Sequence, residues 1–527
     1  MVNRTQNGSG GRFVTLAALM FAVGSVVWSA WSIRQWIREH RESETSSPVA
    51  GRPRRSEPPD GPMPVPAHAL AALATPKPLD AITNASQLYN TTGLWTVHLR
   101  FTPDQWAAME PRQIEPLEGA RGPGGRFELR NPAASRNGLA GFRGLEFEWV
   151  HAAVDFEGRS FTNAAVRFKG NGTYLRSRES FKRPFKVDLD KYTPGASLAG
   201  RTTLNFANLV ADDSCVHDSM GYEFYRAAGV PAPRTAYARL FLTTGPGAPQ
   251  YLGLYVLVEN LDPSFALDQF GAGPGVFLKP VTTELFKDLG ENWEAYDRIY
   301  DPKRRLAPGE SERVIALSRL VSGADDATFS SRIGEFIELD EFARFLAATV
   351  LLSSYDGFLN NGQNFYLWLS GTTGRFQFLP WDLDNAWGRF GMAGAAQDRA
   401  RASIRHPWMG QHRFLERMMA VPEFEARYRK VLAELLETTF VPATLTARVD
   451  TLAGLLRPIL AEESPRRFSR FEQAVTATRW QDPGDAGPGF GRNRSPHPLK
   501  WFIGERAKSV RDQLAGADEG VRLERWR

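Results

Sequence analysis

Tyr355-Asp356-Gly357-Phe358-Leu359-Asn360-Asn361-Gly362-Gln363-Asn364 and, after a short hairpin, Pro380-Trp381-Asp382-Leu383-Asp384 are the most informative segments of this 527-residue chain. Between them, Phe365–Leu369 (FYLWL) and Arg375–Leu379 (RFQFL) read as two aromatic, β-rich runs, and Ser370-Gly371-Thr372-Thr373-Gly374 joins them with turn chemistry. An antiparallel hairpin folds its outer ends together, so Asn361 and Asn364 are predicted to lie near Asp382 and Asp384. Carboxylates and amides then meet at one end of one sheet. Hard oxygen ligands of this kind suit Mg²⁺, which keeps water and substrate phosphates in its other positions. Phosphoryl transfer asks a protein mainly to position groups and neutralise charge, with one Asp as base and an Asn and a second Asp on metal. Asp356, then Asn361, then the Asp382/Asp384 pair fits that division of labour.

Working outward, Ala164–Phe168 reads as a strand leading into Lys169-Gly170-Asn171-Gly172-Thr173. A Gly-x-Gly loop lets backbone amides approach a phosphate, and it equally makes an ordinary hairpin turn. The chain lacks the GK[ST] of a P-loop there, which disfavours a Walker-type NTPase. The adjoining strand Pro184–Leu189 brings Lys182 and Lys186 beside the loop. Val216, Met220, Phe224 and Ala228 recur every four residues and stop at Gly229, predicting a helix over Ser214–Ala228 with Asp212, Asp213 and Ser214 at its start. Ala238–Leu242 and Tyr251–Val258 read as a second hairpin ending at Glu259. Glu338-Leu339-Asp340 opens a helix through Leu352, with Phe342, Phe345, Leu346, Thr349 and Val350 facing inward, and this helix delivers Asp356 into its loop.

In this order the motifs resemble the CotH family, the spore-coat-type atypical protein kinases of bacteria, over roughly Leu94 to Leu514. The similarity rests on Arg167–Thr173 with Lys182–Lys186, on Asp212-Asp213-Ser214 through Asp218, on Tyr251–Glu259, on Gly275–Lys279 and on the two central segments. The resemblance implies an α+β, protein-kinase-like fold that uses ATP and Mg²⁺ (or Mn²⁺) and moves the γ-phosphoryl group to a hydroxyl, with protein serine as acceptor. It implies Asp356 as general base or hydroxyl orienter, Asn361 and Asp384 as metal ligands, and Asp382 as a second ligand or support. Lys182 or Lys186 and Glu259 then grip the nucleotide, with Gly170 and Gly172 over it. Lys182 is the first choice by motif position, because members often carry Arg where Lys186 stands. Members typically carry Arg at His217 as well, so any contact made by that arginine is altered here. An inactive surface scaffold and a kinase of a small-molecule or envelope-glycan acceptor are the alternative functions.

Composition narrows the rest. Net charge is +5 and pI about 9.2, with Arg scattered rather than clustered, which argues against a nucleic-acid interface. Cys215 is the sole cysteine, so no intrachain disulfide or zinc ribbon forms, and a buried inert thiol is expected. The histidines show no metal-binding spacing. Phe13–Ile33 runs 21 residues without a charge, long enough to span a bilayer. Arg4 and Arg12 precede it, and Trp28 makes Ser29-Ala30 a poor cleavage site, so an uncleaved anchor is favoured over a signal peptide. Arg34, Arg38 and Arg41 on the far side leave the positive-inside count balanced; the family's habit of export favours an extracytoplasmic domain. The predicted organisation is a tail (1–12), a single-pass membrane anchor (13–33), a Pro-rich tether (34–90), the kinase-like domain (91–515) and a second tail (516–527). Within the domain, Leu94–Phe101 alternates as a strand with His98 on a solvated face. Thr102-Pro103-Asp104-Gln105 opens a helix, Ala120–Gly141 is an exposed loop, and Pro422–Leu514 is mainly helical around a loop at 482–498.

Overall fold

Alternating apolar runs in the first half of the chain become seven strands that close on themselves. They are β1 (Leu94–Phe101), β2 (Val150–Phe156), β3 (Arg159–Phe168), β4 (Phe185–Asp188), β5 (Thr203–Ala207), β6 (Thr235–Thr244) and β7 (Gln250–Glu259). This computed structural model describes residues 65–78, 82–115, 121–122, 126–127, 131–480 and 496–524. The expected membrane span Phe13–Ile33 lies outside the described residues. Among the described residues, no helix is long and apolar enough to cross a membrane.

Around the barrel the order is β1-β6-β7-β5-β4-β3-β2 and back to β1. Every neighbour is antiparallel except β1 with β6. Closure removes the sheet edges, and Val97, Leu99, Val154, Val187, Leu204 and Leu257 fill the interior. The remaining elements complete an α+β fold. Helices α1 (Ala67–Ala74), α2 (Gly172–Ser177), α3 (His217–Ala227), α4 (Leu339–Leu351), α5 (Pro422–Thr438), α6 (Pro442–Glu463), α7 (Pro465–Thr476) and α8 (Leu499–Leu514) are joined by a second sheet. Its strands are β8 (Gly275–Leu278), β9 (Phe365–Ser370) and β10 (Phe376–Pro380), antiparallel in that order.

Several expectations meet the structure directly. The β9–β10 hairpin pairs Phe365 with Pro380 and Leu369 with Phe376, the register its two aromatic runs require. Thr102 caps its helix through a full capping box with Gln105 and proline in the first turn. Others change. The segment read as a tether (34–90) carries helix α1, whose small residues let it lie close to the barrel, with Ala69 packed on Phe241 and Tyr251. That cover takes His98 out of solvent: it is 8 % exposed, 2.8 Å from Thr243 Oγ1 and edge-on to Phe241. The end of the supposed exposed loop forms a short helix, Gly138–Phe142, with Ala140 buried. Helix α3 starts at His217 instead of Ser214, because Cys215 sits at φ +58° and cannot join a helix. Asp212 still holds the helix start, accepting from the backbone N–H groups of Ser214 (2.9 Å) and His217 (2.9 Å).

Helix α4 carries the inward face its periodicity predicts, with Phe342, Phe345, Leu346, Thr349 and Val350 all buried. Phe342 lies 4.5 Å from Phe378 of β10, 5.3 Å from Phe414 and 5.4 Å from Phe424 of α5, ring centroid to centroid. This cluster presses α4 against the hairpin, so the loop after α4 has a fixed origin. Phe342→Ala is expected to lower stability by about 3–5 kcal/mol in urea unfolding, through lost burial and a cavity. A loss below about 1 kcal/mol would mean that these rings do not seat the loop.

Candidate active site

The chain leaves α4 through Ser353, at φ +43°, and turns Asp356 toward the end of the hairpin. Asp356 is held on three sides. Its Oδ1 accepts from Asn361 Nδ2 at 2.6 Å, its Oδ2 from Asn385 Nδ2 at 2.9 Å, and its backbone oxygen from Asn364 Nδ2 at 2.6 Å. Gly362 makes the loop possible: φ is +64°, and a Cβ there would lie 1.7 Å from Thr282 O. Trp381 N–H then donates to Asn364 O at 3.1 Å, extending the hairpin ladder to the loop.

Two residues apart on an extended segment, Asp382 and Asp384 would share one face. Instead Asp382 adopts φ +58°, which turns the chain and separates their surroundings. The turn is held by α3, where Tyr222 Oη accepts from Asp382 N–H (2.9 Å) and Asp218 Oδ1 from Leu383 N–H (2.8 Å). Asp382 is exposed, while Asp384 is half-buried and accepts from Asn385 Nδ2 at 2.8 Å. One amide therefore bridges Asp356 and Asp384, and Arg389 orients that amide by donating to its Oδ1 at 3.1 Å. His217 is buried, and its Nδ1 donates to Asp384 O at 3.1 Å. Two residues away, Cys215 matches the expected inert thiol, with burial pushing it up to about 12.

The electrostatics of this cluster are those of a site short of cations. Burial, then the charge of Asp382, raises Asp356 to about 6 against the pull of Asn361 and Asn385. Burial, then Asp382, raises Asp218 to about 7. Asp384 is held well above the usual carboxylate range by burial and by Asp382, Asp218 and Asp356. Asn361 adds an acceptor, since its Oδ1 is buried with no hydrogen-bond partner. Among the described residues, no three His, Cys, Asp or Glu side chains converge to hold a metal by themselves. A hard cation here would rest on two carboxylates and the Asn361 amide oxygen, with the rest from water or substrate, and the donor set fits that.

Beside the cluster opens a cavity of about 950 Å³, with Asp382, Trp381 and Asn364 on its wall. Arg167, Lys186 and Asn205 form one row across β3, β4 and β5, and all three line it. Gly170 lines it too, at φ +80°. Gly172 begins α2 and is not part of the wall, so the Gly-x-Gly segment is a strand-to-helix passage and not a hairpin loop.

Two predicted grip residues are engaged elsewhere. Lys182 donates to Leu252 O and Leu254 O (both 3.0 Å) and pairs with Glu463 of α6 (3.1 Å), tying the barrel to that helix. Glu259 is fully buried between Arg234 (2.8 Å) and Arg201 (3.2 Å) and pairs with no lysine. Lys182 precedes the strand that carries Lys186, and nearness to the Gly-x-Gly segment did not separate them. Asn385, Asp218, Lys169 and Lys279 joined the site without having been assigned roles there. Asn385 directly follows Asp384, and Lys169 and Lys279 lie in the motifs already quoted, so position along the motifs was the available signal.

Residues 166–496, more than half of the chain and spanning every site residue above, match the family model described as CotH kinase protein. The inner spore coat protein H of Bacillus subtilis (strain 168) is 25% identical over 269 residues, covering 50% of this chain and 70% of that protein.

Two outcomes are expected from this geometry. Lys182→Met should cost about 3–5 kcal/mol of stability, because it leaves the buried Glu463 without one of its partners; unchanged unfolding with altered ligand affinity would return Lys182 to the site. The second concerns protons. The folded-state value of Asp356, about 6, lies above its ordinary 3.8, so the folded protein binds the extra proton. Without metal, that carboxylate's contribution to stability falls as pH rises from about 4 to about 6. Asp384, the carboxylate a divalent cation would occupy, is likewise held above the usual carboxylate range, and the cation must displace its proton, so Mg²⁺ should raise the unfolding temperature more at about pH 7.5 than at about pH 5. Equal thermal shifts at both would remove these carboxylates from cation binding.

Proposed function

We propose that this chain, which belongs to the CotH family, has an atypical protein-kinase fold and transfers the γ-phosphoryl group of ATP to a hydroxyl, with a protein serine as acceptor. The observation that carries this reading is the amide-braced Asp356, joined through Asn385 to Asp384 beside a lysine-lined cavity. Asp356 is the base: two neutral amides fix both of its oxygens without cancelling its charge, and its raised affinity for a proton suits acceptance from an alcohol. The acceptor oxygen forms the new P–O bond, the bond to the β-phosphate breaks, and ADP leaves with the electron pair. Asp384 and the Asn361 amide oxygen hold Mg²⁺, with Asp382 as a second ligand or support. When bound, the cation neutralises charge on the phosphates. Lys186 takes the nucleotide phosphates, and Gly170 leaves room for them. On this reading Phe13–Ile33 anchors the chain in a membrane, with the catalytic domain on the extracytoplasmic side.

The test is incorporation of γ-labelled phosphate from ATP, with Mg²⁺ or Mn²⁺, into the chain or an added serine-rich polypeptide, with Asp384→Ala as control. Acid-stable label that the variant lacks is the expected result. Nucleotide binding without transfer to any polypeptide would instead favour the scaffold, and label appearing only on an added glycan or small molecule would favour that acceptor. Asp356→Ala should lower turnover by about 10²–10⁴-fold with nucleotide affinity retained; unchanged turnover rules out its role as base.

A further inference from the structure

Three lysines on the cavity wall form no ion pair among the described residues. Lys169 follows β3, Lys186 lies in β4, and Lys279 follows β8 on the opposite sheet. Among the described residues, none of the three ammonium groups donates a hydrogen bond or enters an ion pair. Their neighbours differ: Lys303 pairs with Asp301 at 2.5 Å and Arg304 with Glu310 at 2.6 Å. Lys169 and Lys279 flank one ring, with Nζ 5.9 and 5.5 Å from the Trp381 centroid, and Lys279 lies 5.2 Å from that of Tyr366. Packing of lysine stems on aromatic surface explains one such residue, with its charge led out to water. It does not explain three that line one cavity from two sheets. Of the carboxylates on the wall, Asp301 is paired with Lys303, and Asp382 is exposed. Burial pushes all three ammonium groups down, Lys186 and Lys279 to about 7, and an entering anion would restore their charge.

We propose that Lys279 and Lys169, together with Lys186, form a clamp for an oligophosphate chain that reaches across the cleft from the barrel to the three-stranded sheet. Several point charges spread over both walls suit an extended, multiply charged anion better than a single carboxylate. The clamp deepens the phosphotransferase reading and rests on it for the identity of the phosphate carrier, a nucleoside triphosphate. Lys279 is the residue that brings the second sheet into contact with the phosphates.

The experiment is calorimetric titration of the full-length chain with inorganic tripolyphosphate and, separately, with ATP, both in chelator so that no metal contributes. The expected result is one site, weakened at least tenfold by Lys279→Met and by Lys169→Met, and kept within about threefold by Lys279→Arg. Unfolding temperatures close to that of the parent chain identify the variants that remain folded. ATP binding tighter than tripolyphosphate assigns the site to a nucleotide, and equal binding assigns it to a free oligophosphate; the clamp stands in both cases. Absence of tripolyphosphate binding by the folded parent chain, or unchanged affinity in both Met variants, overturns it. A clamp that passes while no labelled phosphate is ever transferred overturns the phosphotransferase reading alone. Transfer that persists with normal ATP affinity in both Met variants overturns the clamp alone.

Discussion

Two side-chain amides hold one carboxylate, and the rest of the site is arranged around that grip. Asn361 and Asn385 each donate to a different oxygen of Asp356. A neutral donor fixes position without lending positive charge, so the carboxylate stays fixed and basic; an arginine in the same place would fix it and silence it. Each amide also has a second duty. Asn385 reaches Asp384 with the same nitrogen, while Asn361 leaves its oxygen facing inward and unpartnered. The loop and the hairpin end are thereby locked to each other through amides that carry no net charge.

Buried charge in this molecule falls into two kinds. Glu259 between Arg201 and Arg234, and Lys182 with Glu463, are compensated on the spot, and both join elements distant in sequence. Asp218, Asp356 and Asp384 on one side, and Lys169, Lys186 and Lys279 on the other, are not compensated within their own groups. Leaving charge buried without a partner is costly, and such groups persist where a ligand supplies what is missing. By this criterion the acidic group lacks a cation and the lysine group lacks an anion, and the two lie side by side with Asp382 between them.

The scaffold explains how such strained chemistry is tolerated. A closed barrel offers no edge to fray, and its row of Arg167, Lys186 and Asn205 is set by strand register. On the other side the aromatic cluster around Phe342 fixes α4 against the hairpin. Each wall of the cavity is therefore carried by an element with its own core. The turn at Asp382, in the left-handed region, is carried by the hydroxyl of Tyr222 and the carboxylate of Asp218, both from α3.

Local features were legible in the sequence wherever the physics is local. The β9–β10 hairpin, the inward face of α4, the capping box at Thr102 and the nearness of Asn364 to the end of the hairpin all follow from periodicity, turn chemistry and short spacing. What surrounds each element does not. The alternation of β1 put His98 on one face but carried no sign that α1 covers the strands beside it. Lys182 and Lys186 both lie beside the same segment in sequence, yet Glu463, 281 residues further on, takes the first and leaves the second free. Glu259 was placed rightly at a strand end and wrongly beside a lysine, because Arg201 and Arg234 reach it only once the barrel closes. Backbone preference and burial phase are properties of neighbours in sequence, and so the sequence by itself determined which groups are present and which way their element faces. The partner each charged group meets is a property of neighbours in space, and only the tertiary structure decided which charges are cancelled and which remain available for chemistry.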